Sequence, residues 1–292
     1  MKNSPKITRR DFLKLTQFCI RQFIAAGLAG YLYGTKMEVN WIEITHISLK
    51  LPRLDPVFHG MRMVQVSDFH IGHGMDKERL DSILGLALAE APDCFVLTGD
   101  FVDKYPRRTR IAENIAVVAE SFRPLSMLCP TFAVLGNHDH KASGPGVERA
   151  LTSAGVVVLR NSVTAFERGG RQVHIAGVDD VREKKDQFDK VLGQLPENEA
   201  AILLVHEPDF ADTSAATGRF DLQISGHSHG GQVSIPLLGP PYLPELGQKY
   251  PQGLYQVGDM LLYTNRGIGV TTINLRFNCR PEITVFTLES KT

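Results

Sequence analysis

Met61-Arg62-Met63-Val64-Gln65-Val66-Ser67-Asp68-Phe69-His70 is the stretch on which the reading of this chain turns. The first six residues have the composition of a strand, and the polar pair Asp68 and His70 stands where the strand ends. The arrangement recurs. Residues 94–98 run into Gly99-Asp100-Phe101-Val102-Asp103, and residues 131–135 run into Gly136-Asn137-His138-Asp139. Residues 201–205 run into His206-Glu207, and residues 222–225 run into Gly226-His227-Ser228-His229. Polar side chains that each follow an apolar run gather at one edge of a sheet. Ligands converging there can hold two metal ions about 3.5–4 Å apart, the spacing suited to in-line attack on phosphorus.

Between these islands the pattern alternates. Residues 77–90 place Leu80, Ile83, Leu84 and Leu88 on one helical face, and residues 111–121 continue in helical register. Later segments are shorter and richer in strands: 156–159, 172–176, 201–205, 222–225, 232–235, 261–264 and 283–288. The order predicts an α/β fold built on two sheets. Residues 37–60 read as a lead-in strand and connection, since Trp41-Ile42-Glu43-Ile44-Thr45 alternates before Pro52, Pro56 and Gly60. One domain over residues 61–288 follows, without internal repeats.

Composition narrows the function. The 292 residues are 43% hydrophobic and 22% charged, ordinary for a globular chain. Lys+Arg and Asp+Glu balance at 32 each, so no overall field favours nucleic acid as the partner. Cys19, Cys94, Cys129 and Cys279 are too scattered for a disulfide framework, and Cys94 reads as a small buried hydrophobe. Neither a phosphate-binding G-x-x-x-x-G-K-S/T loop nor a G-x-S-x-G nucleophile elbow is present.

The first 36 residues read as a targeting segment. Thr8-Arg9-Arg10-Asp11-Phe12-Leu13-Lys14 resembles a twin-arginine export signal, and residues 23–33 form an apolar stretch too short to span a bilayer. Gly27-Leu28-Ala29 is the nearest cleavage candidate, and an uncleaved anchor is the alternative. A surface helix with Phe12, Leu15, Cys19 and Phe23 on one face is the third reading. The expected location is membrane-associated. The domain lies on the periplasmic or outer face if the export signal is used, and on the cytoplasmic face if the segment only anchors it.

The blocks D-x-H, G-D-x-x-D, G-N-H-D, H and G-H-x-H, in this order over roughly residues 60–288, resemble the calcineurin-like metallophosphoesterases. Carboxylates, imidazoles and a carboxamide without a thiolate already suit Mn, Fe or Zn better than Cu(I). The resemblance implies more. It implies a four-layer αββα sandwich of two mixed β-sheets flanked by helices. It implies one divalent ion on Asp68, His70, Asp100 and His229, and a second on Asp100, Asn137, His206 and His227. A hydroxide bridging the two ions would attack phosphorus. His138 would act off the metals as proton donor or charge stabiliser at the leaving oxygen, oriented by Asp103. A helix cap is the alternative for Asp103. Gly99, Gly136 and Gly226 are expected to permit the turns that aim the ligands.

Sequence says less about substrate. The stretch 230–244 is proline-rich and carries Leu237, Leu238, Tyr242 and Leu243, which suits either acyl chains or a membrane, or an ordinary packed loop. Arg266 is expected to reach a substrate phosphate or to serve a turn. His73 and His140 flank the ligand blocks as substrate contacts or exposed rings, whereas His46, His59 and His174 are expected to be structural. With its membrane-directed amino terminus, the chain is similar to bacterial members that cleave the pyrophosphate of UDP-2,3-diacylglucosamine in lipid A biosynthesis. The expectation is a phosphodiesterase or pyrophosphatase of a lipid-linked or cell-envelope substrate. A broad phosphodiesterase or nuclease, and a metal-binding envelope protein without turnover, are the alternatives.

Overall fold

Alternation along the strands decides the layering. The computed structural model describes residues 8–104 and 108–290. Strands β1 (Glu43–Leu51), β2 (Met61–Val66), β3 (Cys94–Thr98), β4 (Thr131–Val134) and β5 (Val157–Val158) share one sheet with the last strand, β12 (Glu282–Ser290). Their order is β1-β12-β2-β3-β4-β5. The second sheet contains β6 (Ser162–Arg168), β7 (Arg171–Gly177), β8 (Ala201–Leu204), β9 (Leu222–Ser225), β10 (Gly253–Val257) and β11 (Met260–Thr264), in the order β10-β11-β9-β8-β7-β6. Strands β2 to β5 run parallel, as do β7, β8, β9 and β11, and antiparallel pairs flank both parallel blocks.

Because successive side chains on a strand point to opposite faces, one run supplies two cores. Met61, Met63, Cys94 and Val96 face Val173, Ile175, Ile202 and Leu204 between the sheets. Val64, Val66, Phe95 and Leu97 face outward beneath α2 (Lys77–Ala89), α3 (Arg108–Ser121) and α5 (Asn137–Ser153). On the other side, Ala201, Leu203 and Val205 pack with α6 (Phe188–Leu192) and α7 (Ala211–Ala216). Here α1 (Arg9–Leu32) is the amino-terminal helix, and α4 (Arg123–Leu128) follows α3. The result is the expected four-layer αββα sandwich.

Two strand expectations change. Residues 232–235 form no strand. Gly230, Gly231 and Gln232 all take positive φ, and only isolated bridges such as Val233 to Phe277 remain. Strand β1 runs beyond residue 45, pairing with β12 in parallel along nine residues, and so is a full edge strand of the first sheet.

Helix α1 starts at Thr8, whose hydroxyl accepts the Asp11 N–H, and its apolar residues Phe12, Leu15, Phe23 and Leu28 are exposed. Among the described residues, no helix is long and apolar enough to cross a membrane. The chain just after α1 is docked on the body. Tyr33 packs edge-on against Phe277, Gly34 accepts the Arg276 backbone N–H at 3.2 Å, and buried Glu38 accepts the Cys279 N–H at 2.5 Å. Deleting residues 1–32 should therefore leave thermal stability nearly unchanged. Deleting residues 1–40 strips a buried N–H of its partner and should cost about 1–3 kcal/mol, read as a lower unfolding midpoint. Equal midpoints for the two truncations would show that the docked segment contributes nothing.

Candidate active site

Both parallel blocks deliver their polar residues at carboxyl ends of strands, where the two sheets meet. Asp68 and His70 follow β2, Asp100 follows β3, and Asn137 follows β4; His206 follows β8, and His227 and His229 follow β9. The phenylalanines adjoining Asp68, His70 and Asp100 point the other way. Phe69 and Phe101 stack at 5.0 Å, and Phe122 closes on both rings at 4.9 and 5.3 Å. Burying one such ring contributes about 1.5–3 kcal/mol, so the core staples the ligand loops in place.

The backbone there is strained. Asp68, His70, Asp100, His227 and His229 all have φ between 49° and 69°. A non-glycine residue in such a conformation costs on the order of 1–3 kcal/mol and persists where its surroundings enforce it. Here they do. The Asp68 N–H donates to Gly99 O, the His70 N–H to Asp100 O, and the His227 N–H to the Asp68 carboxylate, all at 3.0–3.1 Å. Gly99 itself sits at φ 93°, and a Cβ there would lie 2.7 Å from His206 Nδ1. Gly136 has ordinary φ, but its Cβ would press on Asp100 Oδ1. Close approach, not turn geometry, excludes a side chain at that position.

Two donor sets result. In the first, Asp68 Oδ1 lies 3.3 Å from His229 Nε2, which lies 3.0 Å from His70 Nε2. In the second, His206 Nε2 lies 3.2 Å from His227 Nδ1. Asp100 stands between them, with Oδ2 at 3.6 Å from His70 Nε2 and 3.3 Å from His206 Nε2. Asp68, His70 and His229 offer donor atoms within 4.8 Å of one another, as do Asp100, His206 and His227. Asn137 is fully buried, and neither of its amide atoms has a hydrogen-bond partner, a cost that a metal ion would remove. The residues fit two divalent ions.

Supporting contacts choose the nitrogen that faces inward. His206 Nδ1 donates to Thr98 O at 2.6 Å, and His227 Nε2 donates to Glu245 O at 2.8 Å, since a carbonyl only accepts. His206 Nε2 and His227 Nδ1 are thereby turned to the site. Burial, reinforced by neighbouring imidazoles, holds His70 at about 3 and His227 at about 4, so both rings keep a free lone pair. Burial likewise lowers His229 well below the usual imidazole range. Burial opposes charge on His206 as well, but Asp100 overrides it and raises His206 well above that range. Burial also raises Asp68 to about 6.

A metal must displace those last protons. The Asp100 carboxylate favours a proton on His206, and Asp68 takes one below about 6, so protons compete with the metal as pH falls. Metal affinity should rise from pH 5 to pH 8, with proton release visible by calorimetry in buffers of differing ionisation enthalpy. A pH-independent affinity would contradict this electrostatic picture.

His138 sits among the same residues. Its N–H donates to Asp100 Oδ1 at 2.8 Å, and its ring centroid is 4.5 Å from that of His70. Nδ1 lies 3.4 Å from Asp103 Oδ1 and 3.4 Å from the Lys104 backbone N. Asp103 also meets His73 Nδ1 at 3.3 Å. His140 pairs with Asp179 at 2.7 Å, His46 with Glu90 at 2.9 Å and His174 with Glu199 at 2.6 Å.

Arg266 is the correction. Its guanidinium is held by Glu282 at 2.9 Å and Glu43 at 3.0 Å, which face each other across β1 and β12. It does not line the cavity of about 460 Å³ that opens over Asp100, Asn137, His138, His227 and His229. Two carboxylates already neutralise it, so it serves the sheet edge. Among the described residues, the cations that do line the cavity are Lys104 and Arg182.

Other supporting residues carried little or no signal. Asp139 accepts the Val102 and Gly136 N–H groups at 3.0 Å each, tying two ligand loops together, and its place in the Gly136 block was the available hint. Glu207 accepts the Val181 and Arg182 N–H groups at 3.2 and 3.1 Å. Arg276 is completely buried, donates to the carbonyls of Arg266, Gly267 and Gly269, and comes within 3.5 Å of His229 Nδ1. Nothing in its local sequence announces that position.

Comparison with known proteins agrees with this geometry. The profile of the calcineurin-like phosphoesterase family matches residues 61–231. The chain is 35% identical to the uncharacterized metallophosphoesterase YkuE of Bacillus subtilis (strain 168), over 98% of this chain and 99% of that one. It is 30% identical to the phosphodiesterase YaeI of Escherichia coli (strain K12), over 97% and 99% respectively. A transmembrane protein with metallophosphoesterase domain from Danio rerio is 29% identical over 94% of this chain and 63% of its own length. With ligand blocks, strand-end placement and full-length relatives in accord, this chain belongs to the calcineurin-like phosphoesterases and is a metal-dependent phosphoester hydrolase.

Proposed function

We propose that the protein is a phosphodiesterase or pyrophosphatase acting on a lipid-linked or cell-envelope substrate at a membrane surface. The observation that carries this reading is the apolar rim of the cavity. Tyr242 and Ile273 line it and remain exposed, while Leu237 and Leu238 stand almost fully in solvent on the neighbouring loop. Exposed apolar side chains beside a reactive cavity suit a substrate with an acyl or prenyl part. UDP-2,3-diacylglucosamine is one member of that class. A relative named as a phosphodiesterase supports diester chemistry, and the exposed apolar face of α1 supports membrane association.

When bound, two divalent ions supply an activated water and neutralise charge on the phosphoryl oxygens. The chain orients the rest. Asp100 faces both donor sets, and Asp103 holds the Nδ1 side of His138, which leaves Nε2 to carry the proton to the leaving oxygen.

The test is hydrolysis of bis(p-nitrophenyl) phosphate by the Mn-loaded protein, followed by a screen of a lipid extract. Release of a water-soluble phosphate from the lipid fraction is expected. Turnover of the chromogenic diester with no lipid turnover would leave a diesterase and refute the lipid reading. A reporter fused after residue 36, with and without Arg9→Lys and Arg10→Lys, assigns the side of the membrane. Loss of export in the double variant supports the twin-arginine route, and an inward reporter supports a cytoplasmic anchor.

A further inference from the structure

Among the described residues, the cavity-lining cation with an uncommitted positive charge is Arg182. It is half-buried, lines the cavity with Asn137, His138 and His227, and forms no ion pair among the described residues. Its neighbours have other partners. Glu183 pairs with Lys141 at 2.8 Å, and Asp179 is taken by Arg160 at 2.9 Å and His140 at 2.7 Å. Arg266 is neutralised by Glu282 and Glu43, and Arg276 is enclosed by backbone carbonyls.

The backbone beneath Arg182 is fixed as tightly as that of a metal ligand. Glu207, the residue after His206, accepts the N–H groups of both Val181 and Arg182. Asp180 Oδ1 accepts the Glu183 N–H at 2.6 Å, and the Lys185 N–H donates back to Asp180 O at 2.9 Å. This turn after β7 therefore fixes the backbone from which Arg182 reaches the cavity, tied through Glu207 to the His206 side of the centre. A planar fork of donors held in place without a carboxylate partner is suited to phosphate oxygens.

We propose that Arg182 binds a second phosphoryl group of the substrate, joined through one bridging oxygen to the phosphorus attacked, which makes pyrophosphate diesters the preferred substrate class. The inference rests on the phosphoesterase reading of this site and narrows it. The metal centre neutralises the scissile group, and the cavity of about 460 Å³ extends past it to Thr271 and Ile273. A simple diester such as bis(p-nitrophenyl) phosphate leaves the arginine idle, whereas a nucleoside diphosphate sugar engages it.

The experiment uses the full-length, Mn-loaded protein and Arg182→Gln, with UDP-N-acetylglucosamine as competitor against bis(p-nitrophenyl) phosphate hydrolysis. Competition reads binding whether or not the nucleotide sugar is turned over. The ratio of its inhibition constant to the KM of the chromogenic diester should rise about 10- to 100-fold in Arg182→Gln, the range for losing a charge-assisted hydrogen-bond pair. Arg182→Lys should recover part of that loss, and equal unfolding midpoints confirm that both variants fold. If the inhibition constant and KM move together, Arg182 serves the scissile group and the proposal is overturned. Absence of competition in the unsubstituted protein overturns it as well. If the Mn-loaded protein does not hydrolyse the chromogenic diester at all, the phosphoesterase reading falls first and takes the proposal with it.

Discussion

Asp100→Asn should lower kcat for bis(p-nitrophenyl) phosphate by about 10³-fold or more, since the charge stabilisation a metal pair supplies amounts to several kcal/mol. The substitution keeps the shape of the side chain. It removes the negative charge from the oxygen that stands 3.6 Å from His70 and 3.3 Å from His206. An amide nitrogen at that position offers no lone pair, so at best one ion keeps its ligand from residue 100. His206 also loses the carboxylate that raises its pKa, and burial then favours its neutral form. Metal content by elemental analysis should fall with kcat. A variant that retains both ions and the original rate would end the assignment of Asp100 as the shared ligand.

His138→Gln should produce the second large effect, a loss of about 10²–10⁴ in kcat, the usual contribution of a positioned proton donor. Leaving groups make the prediction specific. p-Nitrophenolate departs without needing a proton, whereas an alkoxide does not, so the loss should be much larger for an alkyl phosphodiester. Asp103→Asn should show the same dependence on the leaving group with a smaller loss, because Asp103 acts through His138 at 3.4 Å. Equal losses on the two substrates would make His138 a charge stabiliser. No loss on either would remove it from the mechanism.

The strands that sequence reading located are the ones buried on both faces. β3 and β8 are nearly continuous apolar runs, and every residue of β3, β8 and β9 is buried. The strands it missed, β6 and β10, lie at the edges of the second sheet. Their burial alternates or stays intermediate, and residues such as Ser162, Thr164 and Gln256 dilute the pattern. Residues 232–235 failed in the opposite sense. They are apolar and β-branched enough for a strand, yet left-handed backbone at Gln232 breaks the ladder.

Arg266 marks another boundary of this kind. An arginine in a glycine-rich turn near the last ligands looks free to meet phosphate. Its fate depends on Glu43, which lies 223 residues away in the chain. Arg182 shows the converse, since nothing around it in the chain sets it apart from its neighbours.

By itself, the sequence determined the family, the layered α/β plan and the candidate ligands. Each ligand depends on local facts: an apolar run that must be a strand, and a carboxylate or imidazole just past its end. Only tertiary structure decided which nitrogen each imidazole presents and which arginine reaches the cavity. These depend on contacts between two sheets, such as Thr98 with His206 and Asp68 with His229. Hydrogen-bond direction and charge pairing fall off within a few ångströms, and only folding brings such distant residues that close.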